Sequence, residues 1–232
     1  MNPARGRNRR TGGANRVGHA PLATLGSALL GVLIGIYCPS GPAATLTATT
    51  SDKTGAPLAD VVIYLEPAAG VPADLPAEPD AVVAQEGMQF VPYLTTIRVG
   101  TRVSFPNRDN MEHHVKSFSE AKPFELKIYS AGTPAPITFD KIGMVGLNCL
   151  LHDWMRGFIY VVDTPYFANT DRTGVATVVD LPEGKYEARA WHPDMSTYIA
   201  PLTQEITIGP GTTSIRFGFD FVPRKRKPPH PV

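Results

Sequence analysis

Cysteine is scarce in this chain. Its 232 residues hold two, Cys38 and Cys149, too few for the disulfide framework of a small secreted scaffold. Acid is missing from one end: residues 1–44 carry five arginines (Arg5, Arg7, Arg9, Arg10 and Arg16) and no Asp or Glu. Beyond residue 44 there is no long amphipathic helical pattern and no internal repeat, which excludes helical bundles and solenoids. No Gly-rich phosphate loop follows a strand. No Cys-x-x-Cys-His run would attach haem. No zinc-hydrolase or Ser/His/Asp cluster occurs. Nothing here is an enzyme signature.

What is present is ordinary in amount and particular in arrangement. Hydrophobic residues make up 43%, enough for a packed core, and 21 Gly and 23 Pro are spread along the chain, as short strands joined by many turns require. The formal charge of +1 averages over a strong asymmetry. Set aside the five N-terminal arginines and the four cations of "RKRK" at 224–227, and 13 Lys and Arg face 21 Asp and Glu. An acidic body is not a nucleic-acid-binding composition. The basic segment 223–232 is expected to be a disordered, solvated tail.

The N-terminus reads as an export signal. The Arg-rich stretch leads into the apolar run "PLATLGSALLGVLIGIY" (21–37), short for a stable membrane span, and small residues follow up to Ala43 and Ala44. This predicts a signal peptide over residues 1–44 and a periplasmic protein with no membrane span after cleavage. An uncleaved N-terminal anchor is the alternative. Cleavage after Ala43 removes Cys38 and leaves Cys149 as a lone thiol in an oxidising compartment. Such a thiol is expected to be buried, paired between chains, or bound to a metal.

Strand signals cover the rest. Alternation is clear in "FELKIY" (124–129), with Phe124, Leu126 and Ile128 against Glu125 and Lys127, and in "SIRFGFDF" (214–221), with Ile215, Phe217, Phe219 and Phe221 on one face. Many short strands of this kind predict an all-β sandwich or barrel. The Pro- and Ala-rich stretch 67–80 reads as a linker or surface loop.

One loop stands apart. "LNCLLHDWM" (147–155) carries a thiol, an imidazole and a thioether at Cys-x-x-His-x-x-Met spacing between two apolar strand signals. A set this soft suits copper; two imidazoles and a thiolate with a long axial Met is the blue-copper arrangement. The second imidazole must come from elsewhere, and "RDNMEHHVKSF" (108–118) offers His113 and His114. Taken singly, Cys149 fits a small buried apolar residue, and His152 and Met155 fit turn and core positions.

Two motifs carry a family resemblance. "VGTRVSFPNRDNMEHHV" (99–115) resembles the cupredoxin segment that precedes the first His ligand, and "CLLHDWM" (149–155) resembles the short ligand loop of amicyanin-like cupredoxins. The chain is similar to exported bacterial proteins labelled methylamine utilization or plastocyanin-like. The resemblance covers residues 81–163 and implies one copper ion on His113, Cys149, His152 and Met155, single-electron transfer, and a redox protein partner. It also implies that electrons leave by the edge of His152. Strand alternation favours His113 over His114, the runner-up. A copper carrier, or a cupredoxin-fold interaction protein without copper, are the other readings. Trp154 reads either as a partner-docking residue or as a core or lid residue, and Asn107 and Asp109 read as turn or loop-tying residues and not as ligands.

The chain departs from the family pattern at three places. His114 replaces the Asn that ties the ligand loops together, Asn148 stands where some members have an aromatic, and Leu151 replaces a Pro. The flanks, 45–68 with 165–222, resemble the carboxypeptidase-regulatory-like (transthyretin-like) β-domain through two Asp-x-x-Gly turns and "LPEGKY". Gly174 and Gly184 fall where turns need positive φ. Trp191, His192 and Tyr198 suggest a stacking surface or, more simply, packing. The expected architecture is all-β: a Greek-key cupredoxin sandwich combined with a small transthyretin-like sandwich.

Overall fold

The computed structural model describes residues 44–195 and 199–227; the signal segment, Cys38, Tyr198 and the last five residues lie outside that range. The described residues contain strands and no helix. In chain order the strands are β1 (Ala44–Ser51), β2 (Val62–Pro67), β3 (Ala81–Val82), β4 (Ala84–Gln85), β5 (Phe90–Val91) and β6 (Leu94–Arg98). Then come β7 (Arg102–Ser104), β8 (His113–Ser117), β9 (Phe124–Tyr129), β10 (Ile137–Thr138), β11 (Gly143–Asn148) and β12 (Arg156–Val162). The last are β13 (Phe167–Asn169), β14 (Val175–Leu181), β15 (Gly184–Trp191), β16 (Leu202–Ile208) and β17 (Thr212–Gly218).

Pairing sorts these strands into two groups. Strands from both ends of the chain build two sheets, ordered β14-β1-β17 and β13-β2-β15-β16. Their inner faces share one core that includes Leu46, Ala48, Ile63, Leu65, Ala188 and Phe217. The strands between build a five-stranded sheet, β6-β12-β11-β8-β9, a three-stranded sheet, β10-β7-β3, and the small pair β4-β5. These close on a second core that includes Val103, Phe105, Val115, Phe139, Leu147 and Ile159. The chain crosses between the two larger sheets from β6 to β7, β7 to β8, β9 to β10 and β10 to β11.

Strand β12 joins the two cores. Its alternation sends Ile159 and Val161 into the second core and Tyr160 and Val162 into the first. Tyr160 stacks on Trp191 with ring centroids 4.6 Å apart, and its hydroxyl meets that of Tyr64 at 3.3 Å. Trp191 and His192 are therefore packing residues, both buried.

Alternation also places Ile215, Phe217 and Phe219 inward, as expected. It fails once. Ile128 does not share the inward face of Phe124 and Leu126; it is 51% exposed. Opposite β8, His113 pairs with Tyr129 and Val115 with Leu126, so β9 carries one extra residue in a bulge. The bulge turns Ile128 out and sets Tyr129 beside His113.

Two turns repeat one solution. In "DKTG" the Asp52 carboxylate accepts from the Thr54 N–H, the Thr54 hydroxyl and the Ala56 N–H, and in "DRTG" Asp171 does the same with Thr173 and Val175. Gly55 (φ 85°) and Gly174 (φ 72°) close the two turns. Only Gly174 is crowded: a Cβ there would lie 2.6 Å from the Thr50 carbonyl oxygen, whereas one on Gly55 meets nothing within 4 Å. Gly55→Ala is therefore expected to cost about 1–2 kcal/mol from backbone strain alone. Gly174→Ala adds a steric term and is expected to cost roughly 2–5 kcal/mol. Urea midpoints of the two variants check this, and equal losses would refute the close approach.

Candidate metal centre

The site forms where two chain segments converge. The first is the loop from Phe105 into β8. Asn107 organises it: its side-chain amide donates to the Met111 and Tyr129 carbonyls at 2.8 and 3.2 Å, and its Oδ1 accepts from the Asp109 N–H at 3.0 Å. Asn107 thus ties the loop, as its position suggests. The second segment is the turn between β11 and β12. There the Cys149 N–H donates to the Met155 carbonyl at 3.2 Å and the Met155 N–H to the His152 carbonyl at 2.9 Å. These bonds close the seven-residue stretch 149–155 on itself.

Three of the expected side chains meet. The Cys149 Sγ lies 3.9 Å from His113 Nδ1 and 3.5 Å from His152 Nδ1, and the three donor atoms all lie within 4.8 Å of one another. A metal about 2.0 Å from each nitrogen and about 2.3 Å from the thiolate, at trigonal to tetrahedral angles, needs nitrogen–sulfur separations of roughly 3.5–3.7 Å. The observed pair of distances brackets that range. Met155 is buried in the same core cluster as Cys149, at the closing end of the loop. Cys149 is a free, buried thiol.

The two adjacent histidines separate as strand alternation requires. His113 turns to the sulfur. His114 turns away, and its Nε2 meets Glu125 Oε1 at 2.8 Å while its buried Nδ1 has no partner. His114 therefore braces β8 against β9 and does not link the two loops. Asn148 reaches the Lys116 carbonyl, and Leu150 and Leu151 are exposed. His192 lies in the other core, where its Nδ1 accepts from the Asp194 N–H at 3.0 Å.

Asp109 has a larger part than loop-tying. Its Oδ2 lies 2.7 Å from His113 Nε2, with both side chains fully buried. An ionised carboxylate only accepts, so Nε2 carries the proton and Nδ1 presents its lone pair toward Cys149. Asp109 also accepts from the Gly87 N–H at 2.7 Å and the Met88 N–H at 2.9 Å, which lie between β4 and β5. Burial works to raise the Asp109 carboxyl, but the Met88 N–H, the His113 ring and the Gly87 N–H outweigh it and hold it below the usual carboxylate range. For His152, burial first and His113 second push the ring below the ordinary imidazole range, against a smaller opposing pull from Asp109. Both effects favour the state such a site needs: the carboxylate that orients His113 ionised, and the His152 imidazole neutral. The four-residue spacing of Asp109 and His113 is the one sequence signal for this contact.

Removing the carboxylate tests its place in the site. Asp109→Ala strands His113 Nε2–H and two backbone N–H groups, and is expected to destabilise the metal-free protein by about 2–4 kcal/mol at neutral pH. A carboxylate whose folded value is depressed stabilises above its unfolded value, near 3.9, and loses that contribution as pH falls through the folded value. The gap between wild type and Asp109→Ala should therefore narrow in acid. Urea unfolding across pH checks both the size and the sign.

No protein-family model matches this chain, and no curated protein matches it. Among solved structures, the chain is similar to a reduced Cu(I) amicyanin variant at pH 4, with 26% identity over 39% of this chain and 88% of that one and a TM-score of 0.33. It is similar to a purple cupredoxin from Nitrosopumilus maritimus, with 22% identity over 36% of this chain and all of that one, at a TM-score of 0.32. An oxidised amicyanin variant is 21% identical over 44% of this chain and 99% of its own, at a TM-score of 0.34.

Proposed function

We propose that the protein would hold one copper ion between His113, Cys149 and His152, with the Met155 thioether as a further, weaker donor, and pass single electrons. The observation that carries this reading is the convergence of one thiol sulfur and two imidazole nitrogens at metal-bridging separations. The donor chemistry favours copper. Zinc in a structural site takes four Cys or His ligands, and thioether is not among its usual donors. Thiolate, two imidazoles and a buried thioether match the soft set of an electron-transfer copper site. Bound copper supplies a one-electron couple between Cu(I) and Cu(II).

The chain's own residues do the positioning. Asp109 holds the His113 ring in one tautomer and one orientation. The closed 149–155 turn holds Cys149, His152 and Met155 relative to one another. The core around Cys149, with Val115, Leu147 and Phe105, excludes water from the sulfur side. Donors held this firmly by the fold limit rearrangement between the two oxidation states. His152 is half-buried and stacks near Trp154 at 5.6 Å, and Trp154 is 38% exposed, so this edge is the route to a redox protein partner. The basic and then apolar N-terminus, followed by small residues, supports export to the periplasm.

Reconstitution tests the reading. Adding Cu(II) to the purified protein is expected to give an intense visible thiolate-to-copper band, absent in Cys149→Ala. Met155→Leu is expected to keep the band and shift the reduction potential. A protein that stays colourless would be an interaction module. A coloured protein without a reversible one-electron wave in voltammetry would be a copper carrier.

A further inference from the structure

The basic C-terminal segment is not a free tail. Following β17, the chain runs back across the molecule toward the candidate metal loop. The Arg224 N–H and side chain both engage Asp194, at 2.7 and 3.2 Å. Arg226 pairs with Asp60 at 2.8 Å and lies over the Tyr93 ring at 4.1 Å. Lys227 sits over the Trp154 ring at 4.3 Å, and its carbonyl accepts from Gln89 at 2.8 Å. Three of its four cations, Arg224, Arg226 and Lys227, find a carboxylate or an aromatic face, which holds the segment in place through residue 227. The expectation of a disordered end is therefore replaced, for these residues, by a strap.

The strap makes one wall of a cleft of about 860 Å³. The opposite wall is the metal loop itself, Asp153 to Arg156. Six cations line the cleft: Arg156, Arg172, Arg224, Lys225, Arg226 and Lys227. Its carboxylates are Asp153 and Asp194, and Asp194 is already engaged by Arg224. Among the described residues, Arg156, Arg172, Lys225 and Lys227 enter no ion pair. All four are exposed. The rest of the body is rich in acid. The local charge beside the metal loop is thus opposite in sign to that of the body.

We propose that this cleft is the docking surface for a carboxylate-rich redox protein, seated between the strap and Trp154. The role of the bound protein rests on the copper reading above; the anion-binding surface does not. Charge of one sign in a concave surface concentrates ligands of the other sign and speeds encounter. The size of the basic region selects the class of partner. A membrane or a nucleic acid presents a continuous anionic surface that would also meet the acidic body and be repelled. A protein with a patch of carboxylates meets the cleft alone. Trp154 adds an aromatic contact at the point where the partner approaches His152.

Two probes separate this proposal from the copper reading. Hexacyanochromate(III), a redox-inert paramagnetic trianion, is added to the metal-free full chain and followed by NMR. Saturable broadening of the Trp154 indole and of Lys225 and Lys227 is expected. A short polyglutamate peptide should displace it, and Lys225→Gln with Lys227→Gln should bind about fivefold more weakly. Both lysines lie outside the donor set. The second probe uses copper-loaded, reduced protein. One electron passes to hexacyanoferrate(III), giving hexacyanoferrate(II), with no bond made and no proton moved. That rate should fall as ionic strength rises, although the acidic body alone predicts the reverse. Broadening confined to the N-terminal arginines overturns the proposal. So does preference for anionic phospholipid vesicles or nucleic acid over polyglutamate, or a rate that rises with salt. If the protein takes up no copper, the hexacyanochromate result still decides the surface.

Discussion

A completely buried imidazole sets the terms for this structure. His113 has no access to water, and an unpartnered ring N–H in that position would cost about 1–3 kcal/mol. Asp109 supplies the partner, but a buried carboxylate needs donors of its own. It finds them in the backbone of Gly87 and Met88, so the β4–β5 turn must reach the loop before β8. Asn107 then fixes that loop against Tyr129, whose position depends on the bulge in β9. Each step answers a polar group created by the step before. The result is a rigid imidazole facing the one described thiol.

The second organising element is β12. It is buried on both faces because each face belongs to a different core. This is why "GFIYVV" is a continuous apolar run and not an alternating one. The strand also begins where the candidate metal loop ends, at Arg156, directly after Met155. Packing of Tyr160 on Trp191 from the outer sheets therefore braces the same strand that anchors the ligand loop. Outer module and candidate site are thus connected through this strand, and again through β6, where Leu94 joins the first core and Ile97 the second. Gly157 shows how tight the fit is: a Cβ there would lie 2.6 Å from the Cβ of Phe90.

Much of this was legible in the sequence where the information is local. Cys149, His152 and Met155 lie on one short turn, so their spacing alone brings them together. Alternation is enough to separate His113 from His114, because neighbouring strand residues face opposite ways. Ile215, Phe217 and Phe219 follow the same rule. Ile128 breaks it because a bulge depends on the register of the partner strand, which no single segment encodes. The contact of Asp109 with His113 is hinted at by spacing, but its ionised state depends on N–H groups more than twenty residues away. The strap was the least legible. "RKRK" reads as solvated by composition, and only the fold reveals that Asp60, Tyr93, Trp154 and Asp194 converge on its path.

The pairing of β1 with β17 has a consequence for how the molecule is made. These strands lie side by side and parallel, and the Thr49 hydroxyl reaches the Ile215 carbonyl across 166 residues of chain. The strands of the inner sheets are contiguous in the chain, while the outer sheets need both flanks. Contacts of short sequence separation form quickly and those of long separation slowly. During synthesis, the inner unit emerges whole while β1 and β2 still lack partners. Assembly is therefore expected to run from the inside out. The outer sheets, and after them the strap, then close around a site whose donors are already in place.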